Sequence, residues 1–203
     1  MAVAASPWVV PLLFVLCAVD GFLPPVPSES VLIALATLSA TAAIPPVPVP
    51  VLVAVGSLGA FAGDQIAYRL GARVPLQRWP WFRGPHGQRR FHRVRTTLRA
   101  RGMALILAAR HVPVLRVVVT MTAGATGYPR RRFLLATAVA SPVWAGYCVL
   151  LGVGAGTVLP LPPLAAVAVG VVTGALLGTL ADQVAQRVRV RRAVPDPAWA
   201  DTE

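Results

Sequence analysis

The sequence contains no lysine: all 19 of its basic residues are arginine. Acids are scarce, with seven in 203 residues, and charged residues amount to 13% of the chain. A soluble domain carries about 25%, so an ordinary solvated surface is excluded. The two cysteines, Cys17 and Cys148, both lie in apolar runs, which leaves no disulfide framework and no CxxC metal site; both read as packing residues. The three histidines, His86, His92 and His111, lack cysteine or acid neighbours at ligand spacing, so no metal centre and no cofactor is expected. No basic residue precedes the first apolar run, and a cleaved signal peptide is not expected. The absence of lysine, with abundant Ala, Val, Pro and Gly, suggests a GC-rich bacterial genome.

What the chain has is apolar surface. Hydrophobic residues make up 56% of it and the mean hydropathy is +0.68, the signature of one all-α membrane domain over about residues 1–192, with a disordered cytoplasmic tail at 193–203. The net charge of +12 raises the question of nucleic acid. The arginines, however, gather between apolar runs, as in cytoplasmic loops beside anionic lipid, and no nucleic-acid-binding motif accompanies them.

Apolar blocks occupy about 8–19, 22–43, 47–68, 103–127 and 133–181, the last split near "LPLPP" at 159–163. A spanning helix needs about 20 apolar residues, which the segments near 47–68, 133–157 and 162–182 supply. Residues 8–19 are short for a span. Ten arginines and no acid lie between 69 and 101, marking a cytoplasmic basic loop. Arg130–Arg132 and "RVRVRR" at 187–192 are two more such marks.

The segment 103–127 thus begins and ends beside cytoplasmic arginines. A single crossing would put its ends on opposite sides, so a re-entrant hairpin is expected, broken near Pro113. The block 20–44 contains "FLPPVPSES", whose prolines resist a continuous helix, and reads as a second hairpin opening outward. Hairpin-then-span, twice and in opposite orientations, is the inverted-repeat plan of many secondary transporters.

Charge inside the apolar runs is nearly confined to Asp20, Glu29, Asp64, Arg110 and Arg116. An arginine near the bilayer centre costs roughly 2.5–3.5 kcal/mol on insertion scales, so two of them around Pro113 call for a role. Structural ion pairs between the hairpins are one reading, although buried pairs give little net stability. Intramembrane ionisable residues mark transport or relay sites by default. Arginine's planar fork suits a phosphate, and Asp20 or Glu29 in a poorly solvated cavity suits a coupling proton. His111, beside Arg110, reads as a packed residue.

These residues fall in three stretches: "DGFLPPVPSES" at 20–30, "GDQIAYRLGAR" at 63–73, and "ARHVPVLRVVVTMTAGATGYPRRRFLLATAVASPVWA" at 109–145. Together and in this order they resemble the DedA family, also described by the SNARE-associated or VTT domain. The resemblance implies two opposed re-entrant hairpins in the bacterial plasma membrane, with basic loops cytoplasmic. It also implies a transporter or lipid translocase, with undecaprenyl phosphate the favoured cargo and phospholipid behind it. Its essential acids would fall on Asp20 and Glu29 and its phosphate-binding arginines on Arg110 and Arg116. Pro24, Pro25, Pro27, Gly63, Asp64 and Pro113 would support the loop tips and motifs. Asp20 stands where glutamate is common in the family, and Gly71-Ala72-Arg73 spreads a glycine–arginine pair. Membrane lipids and protons are the expected partners, nucleic acid is not, and a homo-oligomer is compatible. The rivals are a small-solute or ion transporter using the same hairpins, and a purely structural assembly factor. A lipid-phosphate enzyme is not expected, because His111 lacks the companions of a phosphatase site and no aspartates cluster as in phosphatidyltransferases.

Overall fold

The computed structural model describes residues 8–23, 26–43, 47–73, 85–109, 113–158, 162, 164–174 and 176, with backbone alone at 85–94 and 113–115. Pro24, Pro25, Arg110, His111 and the tail at 193–203 lie outside the described residues. Among those described, every regular element is a helix: α1 (Val9–Asp20), α2 (Ser28–Ala40), α3 (Val49–Arg73), α4 (Pro85–Ala109), α5 (Pro113–Ala125), α6 (Arg130–Val158) and α7 (Leu164–Gly174).

Length sorts these helices. The hydrocarbon core of a bilayer is about 30 Å thick, and a helix rises about 1.5 Å per residue. α3 has 25 residues and α6 has 29, and both are long and apolar enough to cross. α1, α2 and α5 have 12, 13 and 13 residues, reaching only about 18–20 Å. Two short helices therefore meet at a break where one span would otherwise run.

Within the block 20–44, where a hairpin is expected, residues 28–40 form one continuous helix, α2, and the described residues 21–23, 26 and 27 lie outside α1 and α2. The prolines of that block sit at positions 24–27, leaving nothing to interrupt the chain beyond Ser28. α1 closes with Gly21, Phe22 and Leu23 donating to the Ala18 and Val19 carbonyls. Glu29 sits in the first turn of α2, where a carboxylate complements the helix dipole. In the second unit α4 is described to Ala109 and α5 from Pro113. The third expected span, 162–182, is described as helix only over Leu164–Gly174.

α4 is kinked at Arg101 (φ −136°, ψ 22°), where its arginine-rich first part gives way to "GMALILAA". The α5–α6 turn is tightly specified. Gly127 takes φ +67°, its N–H donates to the Gly124 carbonyl, and the Tyr128 N–H donates to the Ala123 carbonyl. This double bond pattern is a Schellman motif, which satisfies the free carbonyls at a helix end, and Pro129 follows to start α6.

α3 is the central strut, lying along α1, α5 and α6, while α2 packs on α6. Backbones touch where α3 crosses its neighbours: Gly63 meets the Ala18 carbonyl of α1, Gly71 meets the Met121 carbonyl of α5, and Gly124 of α5 meets the Tyr68 carbonyl of α3. One core cluster joins α1, α2, α3 and α6 through Leu13, Cys17, Leu32, Leu52, Trp144 and Cys148. A second gathers Tyr68, Leu98, Ile106, Tyr128 and Phe133, with the Tyr68 and Phe133 rings stacked at 4.6 Å and the Tyr68 hydroxyl donating to the Tyr128 carbonyl at 2.6 Å. The outward side of α6 is as apolar as the inward one: Leu135, Val139, Val143 and Leu150 are all more than half exposed. A contiguous apolar exterior of that kind suits lipid rather than water.

Gly124→Val is expected to lower stability by about 1–3 kcal/mol, the range for overpacking, because its side chain has only the α3 backbone to displace. Gly154→Val, whose added atoms meet nothing within 4 Å, should leave the melting temperature in detergent nearly unchanged. Equal effects in a thermal-aggregation assay would mean that the α3–α5 crossing is looser than described.

Candidate functional site

Asp20 is the last residue of α1, placed at the helix end by the break that follows it. Its Oδ2 accepts a hydrogen bond from Ser28 Oγ at 2.8 Å, which ties it to the first residue of α2. The same oxygen receives Arg116 NH1 from α5 at 3.0 Å. Arg116 Nε donates to Asp64 Oδ1 of α3 at 2.9 Å, and NH2 donates to the Ala60 carbonyl at 3.2 Å. The guanidinium carbon stands 6.0 Å from the ring centroid of Trp144 on α6. Three helices, α1, α3 and α6, thus meet the one side chain that α5 supplies, and α2 joins them through Asp20.

The cluster is buried, with side-chain exposures of 7% for Arg116, 12% for Asp20 and 2% for Asp64. Taking ions out of water carries a penalty of several kcal/mol each, offset only by close, well-aligned partners. Arginine meets the requirement because its fork spreads five N–H donors in one plane. Here the fork uses Nε and one terminal nitrogen on two carboxylates and the other terminal nitrogen on the Ala60 carbonyl.

The sequence-predicted residues divide accordingly. Asp20 and Arg116 meet directly. Gly63, buried against the Ala18 carbonyl, lets α3 approach α1 closely enough for Asp64 to share the same fork. Asp64, read from the sequence as a supporting residue near the cytoplasmic end of its span, is 1% exposed and a direct partner of Arg116. Pro27 precedes α2 at its N-cap position, and Pro113 is the first residue of α5. Arg110, Pro24 and Pro25 fall outside the described residues. Arg116 was expected to hold phosphate; in the structure three of its nitrogens are engaged by the protein itself.

Glu29 does not join the fork. It is half-buried on α2, within electrostatic reach of Asp20 and Tyr147. Its Oε1 lies 3.5 Å from the position a side chain on Gly174 of α7 would take. Among the described residues no hydrogen bond or ion pair forms to its carboxylate. Ser28, Trp144 and the Ala60 carbonyl are contributors that sequence reasoning missed. Trp144 and Ser28 lie within the recognised stretches, but nothing in their local pattern marks them as neighbours of Arg116.

Arg116→Ala should destabilise the folded protein by about 3–5 kcal/mol, the scale for removing one partner of a buried ion pair. Arg116→Lys, which keeps the charge and loses the fork, should fall between it and the parent in thermal melts. A parent-like melting curve for Arg116→Ala would show that the cluster carries no structural load.

The family profile described as "VTT domain" matches residues 26–154, more than half of the chain. No curated protein and no solved structure matches it.

Proposed function

The chain belongs to the VTT-domain family, the domain of DedA and SNARE-associated membrane proteins, and on that premise we propose that it is a transporter moving a lipid with a phosphate headgroup between leaflets. Undecaprenyl phosphate is the favoured cargo, followed by phospholipid. In this reading the protein carries its substrate without transforming it. It is a multi-pass protein of a bacterial plasma membrane with its basic loops cytoplasmic, and the segments at about 20–44 and 103–127 are opposed re-entrant hairpins.

The observation that carries the proposal is the grip of Asp20 on Arg116. An acid at a helix end, beside a break, holds one terminal nitrogen of a buried arginine that Asp64 and Ala60 keep in place. A proton arriving at Asp20 neutralises the carboxylate and weakens its hold on NH1. The freed donor then turns to a headgroup phosphate, for which the guanidinium fork is well shaped, with Arg110 as the second phosphate-binding arginine. Loss of the proton restores the Asp20 contact and expels the phosphate. Glu29, close to Asp20 and without a partner among the described residues, is the second proton-carrying group. Irregular backbone at the break survives at membrane depth only where protein or a water-lined cavity satisfies it, and that is where a headgroup is to pass.

In liposomes containing the purified protein, labelled undecaprenyl phosphate or phospholipid should change leaflet faster than in protein-free vesicles. Arg116→Lys should slow it at least tenfold while still inserting and folding. Asp20→Asn, unable to exchange the proton, should abolish the response of the rate to an imposed pH gradient. Parent protein that moves none of these lipids above the protein-free background, yet dissipates a pH gradient with a small solute, would replace lipid transport by solute transport.

A further inference from the structure

The two helices long and apolar enough to cross a membrane, α3 and α6, enclose a cleft of about 260 Å³. Ser57, Leu58 and Phe61 line it from one helix, and Ala138, Ser141 and Pro142 from the other. The cleft lies well inside the span, since Ser141 is about 17 Å from the start of α6 at 1.5 Å per residue. Ser141 is buried, and among the described residues its Oγ is the buried side-chain polar atom that has no hydrogen-bond partner. Neighbouring hydroxyls on this seam are served. Thr137 Oγ1 donates to the Phe133 carbonyl and accepts from Gln65 Nε2, both at 3.0 Å, and Ser57 Oγ donates to the Val53 carbonyl.

A second unmet group follows from the sequence. Pro142 has no N–H, so α6 has no backbone donor for the carbonyl of Ala138, four residues earlier, and Ala138 lines the same cleft. A hydroxyl that needs an acceptor and a carbonyl that needs a donor thus stand three residues apart at membrane depth. Proline is tolerated in such helices where neighbouring helices, Ser or Thr side chains or ordered water serve the freed carbonyl. A hydrocarbon chain serves neither group, and a lipid headgroup at rest belongs at the interface rather than this deep. A water molecule serves both, because it accepts and donates at once. Buried waters make about three hydrogen bonds, and three partners line this cleft: the Ser141 hydroxyl, the Ala138 carbonyl, and the Ser57 oxygen, whose lone pairs are left over from its bond to Val53. The volume exceeds the roughly 30 Å³ that one water takes up in the liquid. Serine turns among three staggered χ1 positions, which lets Oγ present itself to the cleft.

We propose that the α3–α6 cleft is a binding site for one ordered water, which accepts from Ser141 Oγ and donates to the Ala138 carbonyl and to Ser57 Oγ. The water takes the place of the ladder bond that Pro142 removes and ties α6 to α3 inside the membrane. Trp144, whose ring centroid stands 6.0 Å from the Arg116 guanidinium carbon, comes just beyond the missing bond, so the water also steadies the turn of α6 that presents this ring. The site is indifferent to the cargo the protein carries.

The test reads bound water directly. Full-length protein in nanodiscs is given a millisecond X-ray pulse, which splits water where it is held, and oxidation of the adjoining side chains is mapped by mass spectrometry. Corrected for intrinsic reactivity, Leu58 and Phe61 should be oxidised at least fivefold faster than Val143 and Leu150, which are more than half exposed on the outward side of α6. Ser141→Ala should cut that ratio at least threefold and lower the melting temperature by about 2–4 °C, the shift that one net hydrogen bond gives a chain of this length. The sign is diagnostic, because deleting a buried hydroxyl that has no partner at all stabilises a fold. Pro142→Ala returns an N–H to the Ala138 carbonyl and favours the helix, so it should fold, lose the labelling, and halve the thermal effect of a second change at Ser141. Leu58 and Phe61 labelled no faster than Val143, with a higher melting temperature in Ser141→Ala, would overturn the proposal by showing a dry cleft. A lower melting temperature without labelling would overturn it too, by assigning the hydroxyl to a carbonyl of its own helix. Fast labelling that Ser141→Ala leaves unchanged would overturn it by giving the water to other groups.

Discussion

One guanidinium holds this molecule together at its most difficult point. Arg116 meets Asp20 and Asp64 at 3.0 and 2.9 Å in an interior that would otherwise reject all three charges. Everything nearby is arranged to make that contact possible. The break after α1 puts Asp20 at a helix end, the glycine at 63 lets α3 lie close against α1, and α5 brings Arg116 in from the other side.

The same contact explains why rigid and changeable parts sit side by side. α3 supplies Asp64 and the Ala60 carbonyl from the middle of a 25-residue helix, buried on several sides. Asp20 comes instead from a terminus, fastened through Ser28 to a neighbouring terminus. Two of the fork's three anchors are therefore fixed in a long strut and the third is not.

Much of this was legible in the sequence because charge in an apolar run is a loud signal. Asp20, Glu29 and Arg116 stand out with no structure at all. Their pairing was not legible: 96 residues separate Asp20 from Arg116, and three acids with two arginines allow several combinations. Asp64 was read as a supporting motif residue, because its burial against Arg116 depends on which side of α3 faces α1 and α5. The prolines at 24–27 were read as evidence of a hairpin over 20–44, and the residues that follow, free of prolines as far as Ile44, include one unbroken helix at Ser28–Ala40. The glycines were the least readable. Gly124 touches a backbone carbonyl and Gly154 touches nothing, yet each is simply a small residue in an apolar run.

The order of the chain has a consequence for how the protein is made. Asp64 leaves the ribosome 52 residues before the arginine that neutralises it. At about 5–20 residues per second of synthesis, the Asp64 carboxylate is made roughly 3–10 s before that guanidinium exists. Final assembly of the domain is thereby timed by a single late residue, and α1 through α4 are a provisional structure until Arg116 is in place.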